Sequence, residues 1–180
     1  MKDYILLLPI IFIFHDMEEI IGFGWFFRNN PELFRKYPRL TAAYREITNE
    51  GFASAVYEEF IPFFGLSLLA YFFPNNILYG VWFGMFLALT GHFIAHILIC
   101  LYVGKFIPSL ITSVICLPFS VIILINTAGL MTFDAVTVIS VALTISGMMI
   151  NMKLAHKMMD VVSRKLRGTR LVPENVMDIK

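Results

Sequence analysis

Five apolar runs, each near the length of about 20 residues that crosses a bilayer, take up most of this chain. They cover Tyr4–Phe27, Phe52–Phe73, Ile77–Tyr102, Phe106–Thr127 and Phe133–Leu154. Pro74-Asn75-Asn76 separates the second from the third, Gly104-Lys105 the third from the fourth, and Ala128-Gly129-Leu130 precedes the fifth. Of the 180 residues, 58% are hydrophobic, well above the about 45–50% of soluble domains. Lipid offers no partner to an open backbone group, so such runs must be helical. Pro62 and Pro118 fall inside runs, where a kink is tolerated if neighbours satisfy the freed carbonyls. The expectation is an all-α membrane protein, a five-transmembrane-helix bundle in one domain over residues 1–155.

Charge sets an orientation for that bundle. Of the 14 lysines and arginines, all but Lys2 fall on the side opposite the N-terminus, in the loop 28–50, at Lys105, and from Lys153 onward. The positive-inside rule places that basic side in the cytoplasm and the N-terminus outside, with the C-terminus cytoplasmic. This is the layout of a multi-pass protein of a bacterial-type inner membrane. The first run holds His15 and two glutamates, which makes it a poor signal-peptide core and a better retained helix. In the loop 28–50, Asn30-Pro31-Glu32 reads as a helix start with Asn30 as cap, and Pro38 ends that helix. Leu40, Ala43, Tyr44 and Ile47 then repeat at helical spacing, which suggests a short interfacial helix. Residues 156–180 read as a basic and then polar cytoplasmic tail near the anionic inner leaflet. A net charge of +1 gives no electrostatic case for nucleic acid. Cys100 and Cys116 lie in apolar runs and read as free thiols rather than a disulfide.

Three of the runs carry ionisable residues where hydrocarbon opposes them: His15-Asp16-Met17-Glu18-Glu19, Glu58-Glu59, and His92-x-x-x-His96. Each charge at a helix centre costs about 2.5–3.5 kcal/mol on insertion scales. Counted from the basic end at 1.5 Å per residue, Glu18 lies roughly 13 Å deep, Glu59 roughly 12 Å, His92 and His96 roughly 13 and 8 Å, and His15 roughly 18 Å. They share one layer on the cytoplasmic side of the midplane. Lipid cannot satisfy them, so they should face one another inside the bundle.

The residue types and spacings suit a metal. His15 and Glu19 are i,i+4, with Glu18 at i+3, and His92 and His96 are again i,i+4, so two imidazoles can close on one ion. Glu58 and Glu59 stand about 100° apart on a helix, so one of them is a ligand and the other a neighbour. Four carboxylates would repel in low dielectric, and two divalent ions would neutralise them. The candidate metal set is therefore His15, Glu18, Glu19, Glu58, Glu59, His92 and His96, holding Zn or Fe (or Mn), as one ion or two. Four Glu with His fits a di-iron type of bundle site. Two His and one Glu fit a single zinc, with Glu18 or Glu58 as general base. A lone buried histidine is usually only hydrogen-bonded. A protonated carboxyl–histidine network and plain structural hydrogen bonding therefore stand beside the metal reading. Asp16, on another face from His15, is the least favoured ligand.

Residues outside the layer read more plainly. Asp134 caps the fifth helix. Asn126 lies far from the cluster, and Asn151 and His156 lie at the interface. Tyr57, Trp82 and Thr90 are cavity or core residues, and Met148, Met149, Met152, Met158 and Met159 are packing residues rather than a copper site.

His15-Asp16-Met17-Glu18-Glu19 reads His-x-x-Glu-Glu. In the first helix of a small polytopic protein this resembles the HXXEE-domain family. His96, followed by Pro108-Ser109-Leu110-Ile111-Thr112, resembles that family's downstream histidine and its Pro-Gly-x-x-Thr lead into the next helix, with Ser109 where Gly is expected. His92 stands where Asn or His is expected. The resemblance covers most of Tyr4–Leu154 and implies that His15, Glu18, Glu19 and His96 act together, but the family is functionally uncharacterised and implies no reaction. The functional expectation is an integral membrane metalloprotein, a metal-dependent hydrolase or di-iron oxidoreductase acting on a lipidic or small apolar substrate. An ion, proton or metal transporter using the same residues is the alternative.

Overall fold

A computed structural model describes residues 1–45 and 47–169. Among them the only regular structure is helical: α1 (Lys2–Ile5), α2 (Leu7–Asn29), α3 (Leu33–Lys36), a 3-10 turn (Ala42–Tyr44), α4 (Asn49–Phe72), α5 (Asn76–Val103), α6 (Leu110–Ala128) and α7 (Ala135–Thr169). Four helices are long and apolar enough to cross a membrane: α4, α5, α6 and α7 over Ala135–Leu166. At 23 residues α2 has the length, but Asp16, Glu18 and Glu19 interrupt its apolar character.

The helix ends follow local chemistry. The Thr48 hydroxyl caps α4 by accepting from Gly51 N at 3.0 Å, and the Asn75 side chain caps α5 by accepting from Leu78 N at 2.9 Å. Gly104, at φ 70°, closes α5 in the left-handed conformation that glycine adopts without penalty. Pro62 and Pro118 lie inside α4 and α6. Asp134 accepts from Thr137 N at 2.8 Å at the start of α7, which holds its carboxyl below the usual 3.8. A carboxyl lowered on folding stabilises the fold fully above pH 3.8 and loses that effect as pH falls through its lower folded value. Amide exchange at Val136–Val138 is accordingly expected to quicken below about pH 4 in the wild type but not in Asp134→Asn. An unchanged pH dependence in that variant would rule the cap out as its source.

Two expectations change. The loop 28–50 has helical pieces in the two expected places, but they are short: α3 ends before Pro38, and the second is the 3-10 turn around Tyr44. Asn30 is not the cap of α3, which is Glu32; its side-chain amide donates to Phe26 O at 2.8 Å and so satisfies a carbonyl left open at the end of α2. Its carbonyl oxygen and the Glu32 carboxylate both take Lys105, which ties this loop to the α5–α6 turn. The fifth helix also does not stop near Leu154. It runs on to Thr169 with Ala155, Met159 and Ser163 buried at i,i+4 spacing, while Lys153 and Lys157 point outward. The basic residues suggested a tail, but a helix can carry them on its outer face. Residues 170–180 of the expected tail lie outside the described residues.

In the bundle, α7 packs on α5 and α4, α5 on α6, and α2 on α4 and α6. Trp82, Phe86 and Phe93 are fully buried in its core. Ile21, Ile61, Leu98, Leu101, Ile125 and Ile150 face outward, an apolar exterior suited to lipid. The α5–α7 contact depends on Gly80 and Gly84. A Cβ on Gly80 would lie 2.8 Å from Ser140 Cβ and 2.9 Å from Thr137 O, and one on Gly84 would lie 2.9 Å from both Thr144 Cβ and Val141 O. This is the small-xxx-small approach that drives helix association in lipid.

Candidate metal centre

One turn of α2 and one turn of α5 face each other across the bundle. From α2 come His15 and Glu19; from α5 come His92 and His96. One ligand atom from each lies within 4.8 Å of all the others. Glu19 Oε1 is 2.8 Å from His96 Nε2, 3.7 Å from His15 Nε2 and 4.0 Å from His92 Nε2. The Nε2 atoms of His92 and His96 are 2.7 Å apart. His15 is fully buried, and His96 and Glu19 nearly so. His92 is the most open, its side chain 29% exposed. Phe93 stacks edge-on to His15 at 4.7 Å, and Phe23 stands 6.5 Å from the His96 ring, so aromatic groups wall off the centre.

This group can hold a metal ion. Ligands at about 2.0–2.1 Å around a tetrahedral ion stand roughly 3.3 Å apart, and the four atoms bracket that spacing. His15 Nε2 is buried and has no hydrogen-bond partner among the described residues, and Glu19 Oε1, equally buried, is approached by the imidazole nitrogens of the centre without a well-aligned hydrogen bond. Buried polar atoms are rarely left so, and a cation between them would satisfy both. The opposite nitrogens are occupied: His15 Nδ1 lies 2.9 Å from Thr112 Oγ1 and His96 Nδ1 lies 2.8 Å from Ser109 Oγ. Metal-binding imidazoles are commonly held in this way through their second nitrogen.

The remaining sequence candidates go elsewhere. Relative to His15, Glu19 is displaced about 40° around the helix and Glu18 about 60° the other way, so the two carboxylates diverge. Glu18 Oε2 accepts from Thr112 N at 2.8 Å and from Thr112 Oγ1 at 2.6 Å; it touches the group that holds His15 rather than the centre. Glu58 accepts from Asn151 Nδ2 at 3.2 Å, between α4 and α7. Glu59 is buried, its Oε1 without a hydrogen-bond partner among the described residues. It lines a cavity of about 240 Å³ with Glu19, His92 and His96. Asp16, the least favoured from sequence, is 4% exposed and lines the same cavity, its Oδ2 likewise unpartnered. Both also line a second cavity of about 550 Å³. That cavity shares His92 with the first and is walled by Phe12, Phe63, Leu89, Met148 and Met149.

Four contributors escaped the sequence reading of the centre. His156 and Tyr44 line the smaller cavity, and their rings lie 6.0 Å apart. Burial, with Glu19 and Glu59 nearby, pushes the Tyr44 phenol up, so it stays protonated. The helical spacing of Ala43, Tyr44 and Ile47 was the only signal for its inward position. Ser109 and Thr112, in the motif that leads into α6, bind the two histidines. Ser109 sits at φ 95°, a conformation costing a side-chain-bearing residue about 1–3 kcal/mol. This is why glycine is the residue expected there. Trp82 donates to Ile5 O at 2.8 Å and Thr90 to Phe86 O at 2.8 Å, so both are core residues, while Tyr57 is exposed. Cys100 and Cys116 are free and buried.

Comparison with curated proteins and with solved structures gives no match. A family model described as "Protein of unknown function with HXXEE motif" matches residues 6–123, from the start of α2 through most of α6. His15 and Glu19 are the first and last residues of the motif that names it, and His92 and His96 also lie within the matched residues. The chain belongs to the HXXEE family.

Proposed function

We propose that this protein is an integral membrane metalloprotein in which His15, Glu19, His92 and His96 hold one divalent transition metal and which acts as an enzyme on a lipidic or small apolar substrate. The observation that carries this reading is the convergence of three imidazole Nε2 atoms on one buried, otherwise unpartnered carboxylate oxygen. Imidazole with carboxylate suits zinc or iron. Such an ion supplies Lewis acidity to a bound oxygen. The chain's own residues do the rest. His92, the most open of the four, borders both cavities. The methionine-walled cavity of about 550 Å³ is in the size range of small-molecule sites and would take an apolar chain. Asp16 and Glu59 stand where that cavity meets the centre, positioned to accept or return a proton; the general-base role expected of Glu18 and Glu58 passes to them. In this reading α2 is a fifth span, the N-terminus lies outside, and the basic ends of α2, α5 and α7 face the cytoplasm.

Elemental analysis of the purified protein is expected to give one zinc or iron per chain, and a strong chelator is expected to remove it. Protein purified without added metal and without stoichiometric transition metal, and unable to take it up, would end this reading. The pair of unpartnered carboxylates also favours a second reading, an ion or proton carrier. Metal-dependent flux in proteoliposomes without turnover of membrane lipid would select it.

A further inference from the structure

The two histidines that bridge α2 and α5 are each bound from behind by a hydroxyl from the first turn of α6, and the chain of contacts behind His15 fixes which nitrogen carries its proton. Thr112 Oγ1 has a single hydrogen. Glu18 Oε2, 2.6 Å away, accepts it. Thr112 N also donates to that oxygen at 2.8 Å, which anchors the carboxylate in place. With its hydrogen committed, the Thr112 oxygen can only accept from His15 Nδ1, 2.9 Å away. His15 is then the Nδ1–H tautomer, and the lone pair on Nε2 points to the centre, where that atom has no other partner among the described residues. Ser109, fully buried, places its hydroxyl 2.8 Å from His96 Nδ1. Its strained φ of 95° is retained at the place where its hydroxyl reaches the ring.

We infer that Glu18 and Thr112 form a relay that holds His15 as its Nδ1–H tautomer, while Ser109 holds the His96 ring in place from its Nδ1 side. These residues are positioning groups that set the ligand nitrogens of the centre without touching it. The inference rests on the metal reading above for its purpose but not for its geometry. It also gives a role to the glutamate of the His-x-x-Glu-Glu motif that does not reach the centre, and to the Ser-x-x-Thr spacing that opens α6.

The test uses the full chain in nanodiscs with ¹⁵N-labelled histidine, and zinc alone as the probe. In the metal-free wild type, the His15 Nδ1 signal is expected at the protonated position and Nε2 at the unprotonated one. Thr112→Val is expected to lose that pattern and to weaken zinc binding about 10–100-fold, the usual effect of removing an outer-shell partner. Thr112→Ser is expected to restore both, which a purely packing role for Thr112 would not explain. Ser109→Gly separates stability from binding: with the strain relieved it is expected to unfold at higher temperature than the wild type and yet bind zinc more weakly. An Nε2–H tautomer for His15 in the wild type overturns the inference, as does wild-type zinc affinity in Thr112→Val. Should the wild type bind no zinc, the zinc form of the metal reading fails while the ¹⁵N signals still decide the relay.

Discussion

Alanine in place of His96 is expected to cost at least about 100-fold in metal affinity, more than the loss of an outer-shell partner, and so to leave the purified protein essentially metal-free. His96 Nε2 is the nearest nitrogen to Glu19 Oε1, at 2.8 Å, and lies 2.7 Å from His92 Nε2, so its removal opens the middle of the group rather than an edge. The informative control is Glu58→Gln. Sequence alone makes Glu58 an equal candidate, but its carboxylate is engaged by Asn151 between α4 and α7, and that variant is expected to keep its metal. Elemental analysis of the two variants beside the wild type reads the difference directly. Full metal content in His96→Ala, or loss in Glu58→Gln, would move the centre away from the α2–α5 contact.

A leucine at Gly84 is expected to be the most damaging single change outside the centre. Even a Cβ there would stand 2.9 Å from Val141 O and 2.9 Å from Thr144 Cβ. One of these atoms belongs to backbone and cannot turn aside. Overpacking in a filled interior costs about 1–3 kcal/mol even when neighbours adjust, and here α7 must back away from α5 along its length. The same two helices, with α4, wall the larger cavity through Leu89, Met148 and Met149. Unfolding of Gly84→Leu in mixed micelles should shift to markedly lower denaturant, with metal binding weakened as α7 separates. Gly65, whose Cβ would meet nothing within 4 Å, provides the comparison: Gly65→Leu is expected to unfold like the wild type.

Much of the site was legible because ionisable residues are conspicuous inside apolar runs. His15, Glu19, His92 and His96 stood out as charges in apolar runs, and helical rise alone placed them in one layer. The pairing of i,i+4 residues on α2 and on α5 follows from 3.6 residues per turn and needs no knowledge of neighbours. Glu18, Glu58, Glu59 and Asp16 could not be sorted in that way. Each is a carboxylate at the right depth, and its partner comes from a helix distant in sequence: Thr112 for Glu18 and Asn151 for Glu58, while Asp16 and Glu59 face a cavity. The cap of the short helix between α2 and α4 was misread for a similar reason, since the Asn30 side chain found the end of α2 and Lys105 instead of capping α3.

Composition and periodicity thus determined that this chain is a helical bundle with helices long and apolar enough to cross a membrane and a His/Glu layer among them, because long apolar runs favour helices and their few polar residues turn inward. Only the tertiary structure decided which residues meet. The rotation of α2 turns Glu19 inward and Glu18 toward α6, two glycines let α7 approach α5, and Ser109 accepts a strained backbone that brings its hydroxyl to His96. Each of these depends on contacts between residues far apart in the chain, and no local pattern of sequence encodes them.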